Sequence, residues 1–376
     1  MTKYFLTPIS TAFIIGLTWY VSINRNIVVF LPMFLLLFYL RNPFPIQKKY
    51  IYTVLTLVTI FLFWGLINIT LYEKYDIARV DRFLKISAFG CIIIAFIFLF
   101  YAKRRELLVK SIEYALWVMA LLWLMQFLVY YTTGEYIDLL EPLVGADRAQ
   151  RYQAYWIRSA LPIDPIRPTS IFIEPGTYAV NTLPLLALSY IVRQRITRLH
   201  ILVLFSYFAS ISLFAILIGT LFILFTQLST FKFKLTKKNV FLFLLFSFLF
   251  ALVTQYLYFR FVIQGGTDQV AYRESIMGYW LAQDSLGFIL GNGVAQTAVK
   301  RVMVEDASFM FLLLFDYGIF ALPYLIFLVY ISWGLPLAFL FIILITKLNY
   351  SIYVVWFYIA ALVMLRNYRL PQKSIL

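Results

Sequence analysis

Arg193-Gln-Arg195-Ile-Thr-Arg198 leads into an apolar run, 199–231, and Lys232-Phe-Lys234-Leu-Thr-Lys237-Lys238 closes it. As one helix that run would extend roughly 50 Å at the helical rise of about 1.5 Å per residue. A bilayer core is only about 30 Å thick. The run is therefore too long for one crossing and short for two. Its flanks decide the matter. Both are basic and neither holds an acid, so both belong on the side where lysine and arginine collect, the cytoplasmic one. The chain must go out and come back, turning near Ser210–Ser212, in two short or tilted helices.

The rest of the chain has the composition that such a reading needs. Of its 376 residues 63% are hydrophobic, 20% aromatic and only 13% charged, where soluble domains carry roughly 25% charged residues. A mean hydropathy of +0.87 over the whole length means many spans rather than one anchor. Further apolar runs fall near 4–23, 27–40, 50–71, 86–101, 112–131, 175–192, 239–258, 308–330, 335–346 and 350–365. The run from Tyr4 to Ile23 is long enough to span and has no cleavage signature behind a short core, so it reads as the first span. With 199–231 counted as two, about twelve crossings result.

The alternation then closes. Lys3, the 41–49 and 103–110 clusters, the two clusters around 199–231, and Arg366, Arg369 and Lys373 all fall inside. They amount to 18 basic residues against two acids, Glu106 and Glu113. The expected fold is an all-α polytopic membrane protein, a single integral membrane domain over 1–376 with both termini cytoplasmic. Two long loops, 132–173 and 259–306, lie outside. The net charge of +15 has its simplest source in the inner loops, so no nucleic-acid partner is inferred.

Several chemistries drop out. His200 is the sole histidine, so no multi-histidine metal site and no outer histidine base is available. There is no Asp-x-Asp pair and no Walker loop, so neither a metal–nucleotide clamp nor ATP-driven pumping is expected. No metal and no cofactor is expected. Cys91, the one cysteine, says nothing of redox compartment.

The chemistry that remains is carried by arginines and acids on the long loops. In Arg167-Pro-Thr-Ser-Ile-Phe-Ile-Glu174-Pro175-Gly176 the Glu-Pro pair reads as a helix start. Proline at the first helical position loses no needed hydrogen bond, and a carboxylate there meets the positive end of the dipole. Glu174 is then either a cap that pairs with Arg167 or an acid held at the mouth of a span. Arg148, Arg151 and Arg158 precede it, and 149–159 (AQRYQAYWIRS) reads as an interfacial helix with Tyr152, Tyr155 and Trp156 on one side. The second loop holds Arg273 and Leu290-Gly291-Asn292-Gly293, and Asp306 opens the next span as Glu174 opens its own. Asp316 lies about ten residues into that span; it is an intramembrane candidate, or an acid that satisfies a neighbouring helix. Arginine forks suit a phosphate or diphosphate.

Arg167-x-x-Ser170-x-Phe172-x-Glu174-Pro175 after a long outer loop resembles the signature of the O-antigen polymerase and ligase family. So do Arg273, Leu290-Gly291-Asn292-Gly293, and Asp306 leading on to Asp316-Tyr317-Gly318; the likeness covers roughly 110–330. It implies a glycosyltransferase-C-like architecture and a polyprenyl-diphosphate-linked oligosaccharide as donor and acceptor, at the outer face of the cytoplasmic (inner) membrane. Ligases of that family commonly place a histidine near the position of Asp306, and its absence here favours a polymerase. The expected roles are Arg167 and Arg273 as the diphosphate clamp, Arg158 assisting, and Glu174 or Asp306 orienting or deprotonating the acceptor hydroxyl. The expected partners are the lipid-linked glycan, membrane lipids and a chain-length regulator. A glycan ligase, and a lipid-linked glycan flippase using Asp316 as proton carrier, are the competing readings.

Overall fold

A computed structural model describes residues 2–19, 90–145, 149–153, 165–228, 285–291, 308–346 and 352–366, with isolated positions 52, 56, 59, 63, 348 and 368. Among the described residues the structure is helical, with one isolated bridge and no strand. In chain order the helices are α1 (Thr2–Trp19), α2 (Gly90–Tyr101), α3 (Arg105–Thr133), α4 (Glu141–Val144), α5 (Pro175–Arg193) and α6 (Arg198–Ala209). They continue as α7 (Leu213–Leu228), α8 (Ser285–Leu290), α9 (Phe309–Tyr317), α10 (Ala321–Ile331), α11 (Leu335–Ile345) and α12 (Tyr353–Leu365). Among the described residues two helical stretches are long and apolar enough to cross a membrane: α3, and Phe309–Ile331, which joins α9 to α10 through a 3-10 turn at Gly318–Phe320.

α5 is the axis of the bundle. Every residue from Tyr178 to Val192 is buried, as expected of a helix that is apolar all round and fully enclosed. α3, α6, α7, α11 and α12 pack around it. Several of its polar side chains find partners across the interfaces. Tyr178 Oη and Ser206 Oγ lie 2.8 Å apart, and Thr182 Oγ1 and Tyr207 Oη 2.7 Å apart. Buried groups of this kind bond to one another or bear the desolvation cost.

The run 199–231 does turn at Ser210–Ser212, between α6 and α7. Ile211 takes a left-handed φ of 46° there, which a β-branched residue adopts only at a cost. The turn is clamped. Trp123 Nε1 donates to Ser210 Oγ at 2.9 Å, and that hydroxyl donates to Ser206 O at 2.6 Å.

The helix ends meet in two groups. At one end Glu113 meets Arg193, the Arg366 guanidinium donates to Tyr330 O, and Tyr368 lies near Arg105 and Lys110. At the other, Phe309 N–H donates to Thr346 O at 3.1 Å. α3 and α5 run antiparallel, since Glu113 faces Arg193 while Met119, further along α3, meets Ser170 just before α5 begins.

Candidate functional site

The segment 165–174 does not hang outside the bundle. Thr169, Ser170, Ile171 and Phe172 are buried, and Ser170 Oγ donates to Met119 O at 2.7 Å. Met119 is the middle residue of α3, roughly 21 Å from its Thr133 end by the helical rise. Non-helical backbone at such depth is stable only when its polar groups are satisfied by protein. Here two glutamines do it. Gln126 Oε1 accepts from Ser170 N at 2.8 Å and Thr169 N at 3.2 Å. Its Nε2 donates to Gln150 Oε1 at 2.7 Å and to Ile137 O at 3.0 Å. Gln150 Nε2 in turn donates to the Ser170 and Phe172 carbonyls, and its Oε1 accepts from Leu139 N and Tyr136 Oη. Ser170 holds a left-handed φ of 57°, a conformation fixed by these bonds on both sides of it.

Asp138 belongs to the same scaffold. Its Oδ1 accepts from the Leu140 and Glu141 N–H groups, and its Oδ2 from Gln150 N at 2.6 Å. Tyr136 stacks flat on Tyr152, with ring centroids 3.9 Å apart. Burial pushes the Tyr136 hydroxyl well above the ordinary phenol range, so it remains a donor to Gln150.

Residues 149–153 were expected to open a helix, and they are extended instead. Gln153 bridges Ile166 antiparallel, Arg167 N donates to Tyr152 O at 2.6 Å, and Arg151 N donates to Ile173 O at 2.7 Å. The physical reason is competition: the 165–173 backbone and Asp138 offer these N–H groups partners that an isolated surface turn of helix lacks. Tyr155 and Trp156 lie outside the described residues.

Glu174 is placed as the sequence predicts in one respect. It is the N-cap of α5 in an extended conformation, with Pro175 at the first helical position. It does not pair with Arg167. The half-exposed Glu174 carboxylate accepts from Thr177 Oγ1 at 3.3 Å. The Arg167 guanidinium turns the other way, donating from Nε to Gln153 O at 3.0 Å and from Nη2 to Arg151 O at 3.3 Å. The reason is the antiparallel pairing, which sets backbone carbonyls closer to Arg167 than the carboxylate seven residues on. The pairing also brings in a residue given little weight by its position in the sequence. Arg151 sits opposite Ile173, one residue from Glu174, and its side chain is exposed. One loop thus presents Arg151, Arg167 and Glu174 on a hydrogen-bonded base. Arg148, Arg158, Arg273 and Asp306 lie outside the described residues, so their expected roles rest on the sequence.

The second half brings together two motifs separate in sequence. Gly291 meets the backbone of Asp316 and Gly318, and Gly318 that of Ile289 and Gly291. Both glycines have left-handed φ, 76° and 59°. The stretch Phe309–Ile331 is broken at that crossing, since Gly318 ends α9 with non-helical dihedrals. Asp316 is 6% exposed, in the last turn before the break.

Among the described residues no group of acids, histidines or cysteines could hold a metal ion. His200 is structural. Its Nδ1 accepts from Thr197 N in a capping box at the start of α6, and its ring clusters with those of Tyr190 and Phe222.

Compared with known proteins, the chain finds no counterpart: no family model matches it, and no curated protein or solved structure does.

Proposed function

We propose that this chain is a membrane glycosyltransferase that polymerises polyprenyl-diphosphate-linked oligosaccharide units into O-antigen or a related surface polysaccharide. In this reading it crosses the cytoplasmic (inner) membrane about twelve times with both termini inside, and acts at the outer face. The gathering of the basic 103–110, 193–198 and 366 positions at one end of the bundle supports that sidedness, and two helical stretches among the described residues are long and apolar enough to cross.

The observation that carries the function is the re-entrant segment 165–174. A polar loop driven to the middle of an apolar helix costs several hydrogen bonds' worth of desolvation unless every group is met. Here Gln126 and Gln150 bond the 169–172 backbone, with Asp138 holding Gln150 in turn, and one loop carries Arg151, Arg167 and Glu174 on that base. Diphosphate departure needs fixed cations, and the acceptor hydroxyl needs orientation or a base. Arg167 and Arg151 suit the first role, with Arg273 and Arg158 joining them by resemblance. Glu174 suits the second, with Asp306 as the other acid. The donor's lipid tail lies along the bundle's apolar flank, and a chain-length regulator is the protein partner expected.

A flippase is the second reading, favoured by one observation: the break at Gly318 beside buried Asp316. Interrupted helices with an acid at the break are the mark of transport sites. A glycan ligase differs from a polymerase only in its acceptor. Cell-surface glycan banding separates these. Deletion of the gene is expected to collapse the ladder to core plus one repeat, restored by wild type and not by Glu174→Ala. Loss of the single-repeat band as well would mean a ligase or flippase, and an unchanged ladder would remove the glycan assignment.

A further inference from the structure

We propose that the basic end of the bundle docks the anionic head groups of the adjoining lipid leaflet, so that acidic phospholipid holds this end of the fold together. The proposal rests on the membrane reading above but not on the glycan chemistry.

The patch is assembled from three separate places in the chain. The start of α3 supplies Lys103, Arg104, Arg105 and Lys110, the α5–α6 turn supplies Arg193, Arg195 and Arg198, and the end of α12 supplies Arg366. They share one surface. Lys110 lies within electrostatic reach of Arg193, and the Tyr368 hydroxyl within reach of Arg105, Glu106 and Lys110. Among the described residues two acids stand there and both are engaged: Glu106 with Lys110 at 2.8 Å, and Glu113 with Arg193 at 2.6 Å. Arg195 and Arg198 are exposed and make no ion pair among the described residues. α3 opens without a side-chain cap, which leaves the positive end of its dipole in the same place.

Like charges brought together by folding repel, so the fold gains when a polyanionic surface neutralises them. What selects lipid over a soluble polyanion is the apolar collar. Tyr330 and Trp333 are 71% and 67% exposed, and Tyr330 O accepts from Arg366. Tyr114, also exposed, lies one turn from Lys110. Exposed aromatics beside basic residues are the arrangement of a membrane interface.

The test is thermal unfolding of the full chain in mixed micelles doped with dioleoylphosphatidylglycerol or dioleoylphosphatidylcholine. Phosphatidylglycerol is expected to raise the midpoint above phosphatidylcholine, and the difference to vanish at about 1 M salt, where the screening length is ~3 Å. In Arg195→Gln/Arg198→Gln the phosphatidylglycerol needed for half the shift should rise roughly twenty-five-fold, about five-fold for each charge near an anionic surface. Should the double variant not fold, Arg195→Gln alone, in an exposed turn, carries the comparison at about five-fold. Equal midpoints in the two lipids would overturn the proposal, as would an undiminished effect in the folded variants. So would an equal rise from short RNA added to phosphatidylcholine micelles, which would make the surface a general polyanion site.

Discussion

Arg193 grips Glu113 through two charged hydrogen bonds, 2.7 Å from Nε and 2.6 Å from Nη2, and Ser189 Oγ donates to the same carboxylate at 3.0 Å. This ties the start of α3 to the end of α5, the central helix. Both side chains are more than four-fifths shielded from solvent. Removing one partner leaves the other charge shielded and unmatched, at a cost of about 3 kcal/mol, the low end for a broken buried pair. Glu113→Ala is expected to lower the unfolding midpoint markedly in detergent. Glu113→Arg with Arg193→Glu should regain a large part of the loss, which a double-mutant cycle measures.

Gln126 should prove to be the residue that holds the first long loop. Gln126→Leu is close in size but strands the buried Thr169 and Ser170 N–H groups. Each buried group left unmet costs about 1–3 kcal/mol. The expected result is local release: limited proteolysis should cut 134–174 rapidly in Gln126→Leu while α3 and α5 stay intact. Equal cleavage rates in the variant and wild type would show that the loop is held by something else.

Part of this was legible in the sequence and part was not, for identifiable reasons. The turn at Ser210–Ser212 and the helix start at Glu174-Pro175 are local signals: charge on both flanks of an over-long apolar run, and proline after an acid. The buried course of 165–174 is a tertiary result. One residue did announce it, Gln126, an amide within an apolar span that bilayer physics requires to have a partner. What no local pattern gives is the pairing of 149–153 with 165–173, because an Arg/Tyr/Gln stretch is compatible with an interfacial helix until its partner strand is known. The same pairing redirected Arg167 away from Glu174 and set Arg151 beside it. Gly291 and Gly318 are alike in this: each reads as an ordinary loop glycine, and only the fold shows that one needs the other.

That mutual need makes a sharp prediction. A Cβ on Gly291 would lie 2.5 Å from the Asp316 carbonyl carbon, and one on Gly318 2.5 Å from Gly291 N. The obstacles are backbone atoms, which cannot rotate away as a side chain would. Left-handed φ adds a penalty of about 1 kcal/mol to overpacking of about 1–3 kcal/mol. Gly291→Ala and Gly318→Ala are each expected to reduce folded protein recovered from membranes, measured by monodisperse yield in detergent. Gly134→Ala, where a Cβ meets nothing within 4 Å despite a φ of 79°, is the control and should lose only the conformational part.

The roles at the site separate by variant. Arg151 is exposed, and the bonds that place it are made by its backbone N–H and carbonyl, so Arg151→Gln leaves the antiparallel pairing intact. Arg167→Gln loses the guanidinium bonds to Gln153 O and Arg151 O as well as the charge. If both cations steady a departing diphosphate, each replacement removes about 1.5–3 kcal/mol per charged hydrogen bond, a loss of roughly ten- to a hundred-fold in polymer formed per unit time. Arg151→Gln should show that loss with an unchanged unfolding midpoint, whereas Arg167→Gln should also unfold more readily. Glu174→Gln keeps the acceptance from Thr177 Oγ1 but cannot take a proton. If Glu174 is the base, Glu174→Gln should be as inactive as Glu174→Ala while folding like wild type. If it orients the hydroxyl by hydrogen bonding alone, Glu174→Gln should retain a substantial fraction of the rate. In-gel polymer laddering with purified, reconstituted variants reads all three, and a full ladder from Arg151→Gln would remove that residue from the diphosphate site.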